Sequence, residues 1–168
     1  MMSGRGGILG ALLGKKGEKN LKTLCVRPPY CNDSTLFEGK CVTCQDTPCV
    51  NACPTEIILL DAAHTPCLDF AKGGCSFCEA CAQACPKDVL NAQTGTNVLP
   101  IRAKIDILAC MAWHQSLCNS CLDGCDVRAI RFLGLFRPTI DADACNGCGG
   151  CVKVCPCEAI VMHTKEEA

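Results

Sequence analysis

The sequence predicts a small α+β protein made of two tandem units that contain short strands and short helices. The chain has 168 residues and 20 cysteines, but only five Phe, one Trp and one Tyr. A chain of this length with so few large side chains builds only a thin apolar core. The cysteines fall into four similar groups, and a short apolar tail follows each group. We therefore expect the cysteines, through a metal or through disulfides, to hold the fold together.

The chain has a basic beginning and an acidic remainder. Residues 1–40 carry seven basic and three acidic side chains, whereas residues 41–168 carry nine basic and fourteen acidic ones. We take residues 1–34 as a basic N-terminal segment. It could dock on an acidic partner, make peripheral contact with a membrane surface, or be a solvated tail. The acidic remainder argues against nucleic acid as a partner.

The apolar run from Ile8 to Leu13 is broken by glycine and is followed by two lysines. It is too short to cross a membrane and has no clear small-residue cleavage site. No later stretch reaches the roughly eighteen apolar residues that a transmembrane helix needs. We therefore expect a cytoplasmic protein without a transmembrane segment, in which thiols stay reduced.

Four cysteine quartets recur along the chain, and such self-similarity marks one supersecondary unit that is used four times. The quartets are Cys41-x2-Cys44-x4-Cys49-x3-Cys53, Cys75-x2-Cys78-x2-Cys81-x3-Cys85, Cys110-x7-Cys118-x2-Cys121-x3-Cys125 and Cys145-x2-Cys148-x2-Cys151-x3-Cys155. The first two quartets define a unit over residues 35–100, and the last two define a unit over residues 101–168.

The spacing predicts the local structure of each repeat. Three cysteines within a few residues must surround one centre from a loop, because a regular helix or strand would point them apart. Proline follows the last cysteine of three quartets, which predicts a short helix beginning there. Strands are predicted over Asn97–Ile101 and Pro138–Ile140. Glycines in the fourth loop, such as Gly149, would let the backbone approach a bound cluster closely.

The second and fourth quartets match the run C-x2-C-x2-C-x3-C-P, which is typical of bacterial ferredoxins with two [4Fe–4S] clusters. In that run the fourth cysteine binds the other cluster of the pair. Zinc sites usually combine two C-x2-4-C knuckles, so three closely spaced thiols have no rationale there. The pattern predicts four [4Fe–4S] clusters, and it favours neither zinc nor disulfides.

The crossed pattern assigns sixteen cysteines to iron of the four clusters. The four predicted ligand sets are Cys41, Cys44, Cys49 and Cys85; Cys75, Cys78, Cys81 and Cys53; Cys145, Cys148, Cys151 and Cys125; and Cys110, Cys118, Cys121 and Cys155. The last set departs from the pattern because its first spacing is x7 and Asp126 replaces the usual proline. Cys110 could instead be a buried thiol, which would leave a three-iron cluster.

Four cysteines remain outside the quartets. We interpret Cys67 and Cys157 as small buried apolar side chains. Cys25 and Cys31 flank the sequence Arg-Pro-Pro-Tyr, where they are either buried in the same way or redox-active. The Pro pair would hold this element extended and leave Tyr30 free to anchor on a partner. The alternative is that the segment packs along its own cluster domain as a cover.

Several sequence elements together resemble the NapF-type ferredoxins, which are encoded with periplasmic nitrate reductase. These elements are Arg27-Pro28-Pro29-Tyr30, Cys75-Ser76-Phe77-Cys78, Ala80-Cys81-Ala82-Gln83-Ala84-Cys85-Pro86, the x7 gap of the third quartet, and Cys145-Asn146-Gly147-Cys148-Gly149. The resemblance runs from about residue 25 to the end of the chain. It implies a cytoplasmic protein that contacts the molybdenum-containing catalytic subunit, either assisting its maturation or supplying electrons.

The predicted function is therefore electron transfer, assembly of a partner enzyme, or both, and not catalysis. The sequence has no Gly-rich phosphate loop and no Ser/His/Asp arrangement, and four protein thiolates leave no iron open to a substrate. The redox partner implied is the catalytic subunit of a molybdopterin enzyme. The x4 spacing before Cys49 resembles instead the electron-transfer subunits of molybdopterin oxidoreductases. The alternative is thus a permanent subunit of a larger oxidoreductase.

Overall fold

The computed structural model describes residues 25–31, 33–93 and 95–164. Its regular elements are all short, and they fall in the same order in each half. The strands of this part of the chain are β1 (Ile58–Leu60), β2 (Pro66–Leu68), β3 (Ile101–Ile105), β4 (Ile130–Phe132), β5 (Pro138–Ile140) and β6 (Ile160–Thr164). Its α-helices are α1 (Pro48–Asn51), α2 (Ala80–Gln83), α3 (Ser120–Asp123) and α4 (Gly150–Lys153), with a π-helical turn at Phe37–Cys41 and a 3-10 turn at Met111–His114.

The strands pair in antiparallel couples. β1 pairs with β2 and β4 pairs with β5 as hairpins, while β3 pairs with β6 across most of the second half of the chain. The strand predicted at Pro138–Ile140 is confirmed as β5. The strand predicted at 97–101 is wrong, because only its last residue lies in a strand, the first of β3.

Each α-helix contains the third cysteine of its quartet, so the prediction of a helix after the fourth cysteine is wrong. The reason is a left-handed residue three positions after each fourth cysteine, with φ between 50° and 54°. A right-handed helix cannot continue through such a residue. The residues that end the turn in this way are Glu56, Asp88, Arg128 and Glu158. The backbone N–H of each donates to the carbonyl oxygen of the fourth cysteine, at 3.0 to 3.4 Å.

The apolar tails of the repeats are buried beneath the cysteine loops. They form pairs directly after the left-handed residues: Ile57-Ile58, Val89-Leu90, Ala129-Ile130 and Ala159-Ile160. Removing such side chains from water is the main favourable contribution that a core this small can make. The tails therefore fix each loop onto the body of the protein.

The core has two main parts. One group of buried side chains lies between Val26 and Ile101, and the second lies between Ala103 and Ile160. Val152 and Met162 pack against both groups. The fold is thus a small mixed arrangement of helices and strands, and its two halves share an apolar contact.

The described part of the N-terminal segment packs on the first half. Val26 forms an antiparallel β-bridge with Leu68, and Tyr30 is only 2% exposed. The Tyr30 hydroxyl donates to the carbonyl oxygen of Phe77 at 2.8 Å. The prediction that Tyr30 is free to anchor on a partner is therefore wrong, because its ring fills the protein's own core. Residues 1–24, which carry most of the basic charge, lie outside the described residues. None of the helices in the described ranges is long and apolar enough to cross a membrane.

Candidate iron–sulfur centres

Four thiols converge on a cavity beside α1. Cys41, Cys44 and Cys49 line this cavity from the first quartet, and Cys85 reaches it from the second. Apolar side chains, including Leu60 and Leu90, form much of the remaining wall together with His64. The structure therefore brings together the first predicted ligand set, including its cysteine from the other repeat.

A second cavity lies beside α2 and has the reciprocal composition. Cys75, Cys78 and Cys81 line it from the second quartet, and Cys53 reaches it from the first. Tyr30 and Ile57 also line its wall, so the buried part of the N-terminal segment covers this cavity. Cys49 lies within α1 and Cys53 follows its end, and the two thiols line different cavities.

The second half repeats this arrangement. One cavity is lined by Cys110, Cys118, Cys121 and Cys155, and the other by Cys125, Cys145, Cys148 and Cys151. The long x7 gap of the third quartet is taken up by the 3-10 turn at Met111–His114. Trp113 packs in this insertion, and its indole N–H donates to the carbonyl oxygen of Pro138 at 3.1 Å. Cys110 is 8% exposed and shares the cavity with the other three thiols of its predicted set.

The donor chemistry of these cavities fits [4Fe–4S] clusters, which take four cysteine thiolates in an apolar surrounding. Burial, reinforced by neighbouring thiols, raises the pKa of Cys49 to about 11 and that of Cys81 to about 12. It likewise raises the pKa of Cys151 to about 12. In the absence of metal these thiols stay protonated, so iron has to displace their protons.

Backbone amides point at the fourth cysteine of several repeats. Ala129 N–H donates to Cys125 Sγ and Ala159 N–H donates to Cys155 Sγ, each at 3.2 Å. Burial opposes ionisation of Cys53, but hydrogen bonds from Thr55 and from backbone amides lower its pKa overall. After Cys125 and Cys155, the left-handed residue three positions on turns the next amide towards the sulfur. Sequence reasoning missed this feature, because the left-handed residues are not glycines.

The second and fourth cysteine loops touch. The backbone N–H of Cys75 donates to the carbonyl oxygen of Cys148 at 2.8 Å. Glycines permit the approach, since a Cβ atom on Gly74 would lie 2.6 Å from the Cα atom of Gly150. Gly149 has a φ of 76°, and its missing side chain makes room for the ring of Phe70. The glycines of the fourth loop thus serve contacts between loops.

The cysteines outside the quartets behave differently from expectation. Cys25 and Cys67 form a disulfide, so the interpretation of Cys67 as a simple buried apolar side chain is wrong. The two cysteines are 42 residues apart in sequence, so no local pattern predicted this pairing. Cys157 is only partly buried, and its Sγ lies 3.7 Å from Cys155 Sγ in the same cavity. Cys31 is not part of a disulfide, and its thiol donates to the carbonyl oxygen of Asp33 at 3.1 Å.

Comparison with known proteins gives consistent similarities. A family model described as a 4Fe-4S binding domain matches residues 137–160. The chain is 36% identical over 142 residues to the ferredoxin-type protein NapF of Escherichia coli strain K12, which covers 82% of this chain and 84% of that protein. It is 37% identical over 143 residues to the Haemophilus influenzae ferredoxin-type protein NapF, with coverages of 82% and 78%.

A second group of relatives is more distant. The Haemophilus influenzae ferredoxin-type protein NapG is 30% identical over 177 residues, which covers 89% of this chain and 62% of that protein. The residues matched by the 4Fe-4S model include all of the fourth quartet from Cys145 to Cys155.

Proposed function

Because the chain belongs to the NapF family of ferredoxin-type proteins, we propose that it is a polyferredoxin holding four [4Fe–4S] clusters, one in each cysteine-lined cavity. The observation that carries this proposal is the convergence of sixteen cysteines into four sets of four. In each set, three thiols come from one quartet and one comes from the neighbouring quartet. This is the crossed ligation of two-cluster ferredoxins, used twice in tandem.

The chemistry that the clusters supply when bound is one-electron transfer, at potentials set by their surroundings. The protein's own residues determine those surroundings. Apolar side chains line the cavities around the sulfurs, and the amides of Ala129 and Ala159 donate to cysteine sulfurs. Such hydrogen bonds stabilise added negative charge and raise a cluster's potential. Because protein thiols supply all four ligands in each cavity, no iron is open to a substrate, and the chain acts as a carrier rather than as an enzyme.

The proposed partner is the molybdenum-containing catalytic subunit of a nitrate reductase, contacted in the cytoplasm. The family resemblance supports this choice of partner. A reducing compartment also suits a protein that needs sixteen free thiols for iron. The basic residues before Cys25 offer a charge opposite to that of the acidic body, so they are the proposed docking element.

Anaerobic capture and electron transfer together test this function. The immobilised, iron-loaded full chain is offered the catalytic subunit of a periplasmic nitrate reductase, and after reduction its visible absorbance is followed. We expect capture, and reoxidation of the clusters when the subunit is added. A Cys78→Ser variant, which loses one proposed ligand, should still capture the subunit but transfer electrons more slowly. If the subunit is neither bound nor reduced, the proposed partner is wrong.

Purification of the mature enzyme separates the carrier from a permanent subunit. An assembly factor or carrier should leave when the catalytic subunit matures, whereas a permanent subunit should remain bound through purification of the mature enzyme. We expect release.

A further inference from the structure

The disulfide between Cys25 and Cys67 lies outside the four cavities and has no part in the proposed electron transfer. It joins Cys25, one residue before the β-bridge at Val26, to Cys67 in the strand β2. The two Cα atoms are 5.3 Å apart. Cys25 is exposed, whereas Cys67 is partly buried. Exposed disulfides are the ones that exchange with external thiols, because a thiolate must reach one of the two sulfurs.

Charged side chains surround the two sulfurs unequally. Arg27 Nη1 lies 3.5 Å from Cys67 Sγ, and no comparable contact reaches Cys25 from this guanidinium among the described residues. Arg27 is held in place by Asp61, by the Thr65 hydroxyl at 2.6 Å and by the carbonyl oxygen of Pro66 at 3.0 Å. A fixed cation beside one sulfur lowers the cost of leaving that sulfur as a thiolate.

Asp61 supplies the complementary group. Its Oδ2 atom lies 3.8 Å from Cys25 Sγ and 3.7 Å from Cys67 Sγ. The carboxylate can therefore accept a hydrogen bond from either thiol once the bond between the sulfurs is broken. Hydrogen bonds from Thr65, followed by the contact with Arg27, lower the pKa of Asp61, so it stays ionised for this role.

We propose that Cys25 and Cys67 form a redox-active site that exchanges with low-molecular-weight thiols of the glutathione class. A thiolate attacks the exposed Cys25 Sγ, the bond between the sulfurs breaks, and Cys67 leaves as a thiolate beside Arg27. A second thiol then attacks the mixed disulfide on Cys25, which releases the small-molecule disulfide. Two thiols are oxidised, the protein disulfide gains two electrons, and the protons from the two thiols pass to the two cysteines. Oxidised glutathione drives the reverse reaction.

The redox state of the Cys25–Cys67 pair controls how tightly residues 25–27 are held against the β1–β2 hairpin. This hairpin forms part of the wall of both cavities in the first half: Leu60 and Pro66 line one, and Ile58 and Leu68 line the other. In the oxidised state, the disulfide holds residue 25 against this wall. In the reduced state, the β-bridge at Val26 and the contacts of Arg27 remain to hold it there. Reduction therefore loosens the cover over the first two cavities and leaves the second half unaffected.

Thiol labelling of the iron-loaded full chain tests the site directly. The protein is equilibrated anaerobically with mixtures of reduced and oxidised glutathione, alkylated, and analysed by peptide mass spectrometry. We expect a peptide linked through Cys25 and Cys67 under oxidising mixtures, and two alkylated cysteines under reducing mixtures. Cys31 is the internal control, since it should be alkylated to the same extent in both.

Single variants test the direction of attack. With oxidised glutathione, Cys67→Ser should trap glutathione on Cys25 faster than Cys25→Ser traps it on Cys67, because partial burial limits access to the Cys67 sulfur even though Arg27 favours its thiolate. Arg27→Ala should slow reduction of the wild-type pair, while Arg27→Lys should restore part of the rate. Reduced protein should also lose iron to a chelator faster than oxidised protein does. The iron lost faster should be that held in the first half only.

Several results would overturn the proposal. One is the absence of the linked peptide under every oxidising mixture in the wild-type protein, which needs no variant to fold. Another is equal trapping on both single variants. A third is retention of a divalent metal by the reduced pair together with Asp61, whose ligand atoms lie within 4.8 Å of one another.

Discussion

The backbone N–H of Cys75 donates to the carbonyl oxygen of Cys148 at 2.8 Å, across the contact between the two halves of the protein. Each of these cysteines lines a different cavity. Two of the four cavities therefore lie on either side of one hydrogen bond. In the proposed four-cluster protein, this contact would give electrons a short route from one half to the other.

Gly74→Ala should weaken this contact. The added Cβ would lie 2.6 Å from backbone atoms of Gly150, which cannot move aside as a flexible side chain would. We expect a loss of about 1–3 kcal/mol in the free energy of unfolding, as is usual for overpacking. This corresponds to a melting temperature several degrees lower. Gly73→Ala is the matched control, because its Cβ would meet Ile57 at an ordinary 3.4 Å. Equal melting temperatures for the two variants would contradict the proposed importance of this contact.

Truncation of the N-terminal segment should have two distinct effects. Deleting residues 1–24 should leave the iron content unchanged, because none of the sixteen quartet cysteines lies in this segment. Deleting residues 1–31 removes the buried Val26 and Tyr30 and uncovers the cavity that Tyr30 lines. We expect this longer deletion to lose about four irons, one cluster's worth. Iron analysis of the two purified proteins measures the difference, and full iron in both would show that the segment is not a cover.

Cys155 and Cys157 provide a matched pair within one cavity. Their Sγ atoms are 3.7 Å apart, but only Cys155 receives a hydrogen bond from a backbone amide, that of Ala159, among the described residues. Cys155→Ser should cost about four irons or leave a three-iron cluster, whereas Cys157→Ser should leave the iron content intact. Electron paramagnetic resonance distinguishes the two cluster types. Iron loss from Cys157→Ser alone would reverse the assignment of these two cysteines.

Cysteine spacing predicted which thiols lie together better than it predicted the backbone around them. Cysteine spacing alone predicted four sets of thiols, and the resemblance to NapF-type ferredoxins is confirmed by the relatives. The helix positions were wrong, because Glu56 and its counterparts adopt left-handed backbone although they are not glycines. No local pattern marks such residues. The burial of Tyr30 and the pairing of Cys25 with Cys67 depend on contacts about 40 residues or more apart, and single-sequence patterns do not report contacts at that range.

Paired substitutions should separate crossed ligation from ligation within each quartet. Cys53 and Cys78 belong to different quartets but line one cavity, whereas Cys53 and Cys49 share a quartet and line different cavities. Changing Cys53 and Cys78 together to serine should cost about four irons, no more than either single change. Changing Cys53 and Cys49 together should cost about eight. Iron analysis of the folded proteins gives the answer, and the opposite ranking would favour ligation within each quartet.

The iron and acid-labile sulfide content of the anaerobically purified full chain tests the central claim most directly, together with its Mössbauer spectrum. Four cubanes require about sixteen irons and about sixteen sulfides per chain, all in [4Fe–4S] signals. The crossed sets of thiols in the four cavities predict this result. Saturation at about twelve irons, or a three-iron signal that persists after full reconstitution, would contradict it, because one of the four sets would then not hold a cubane.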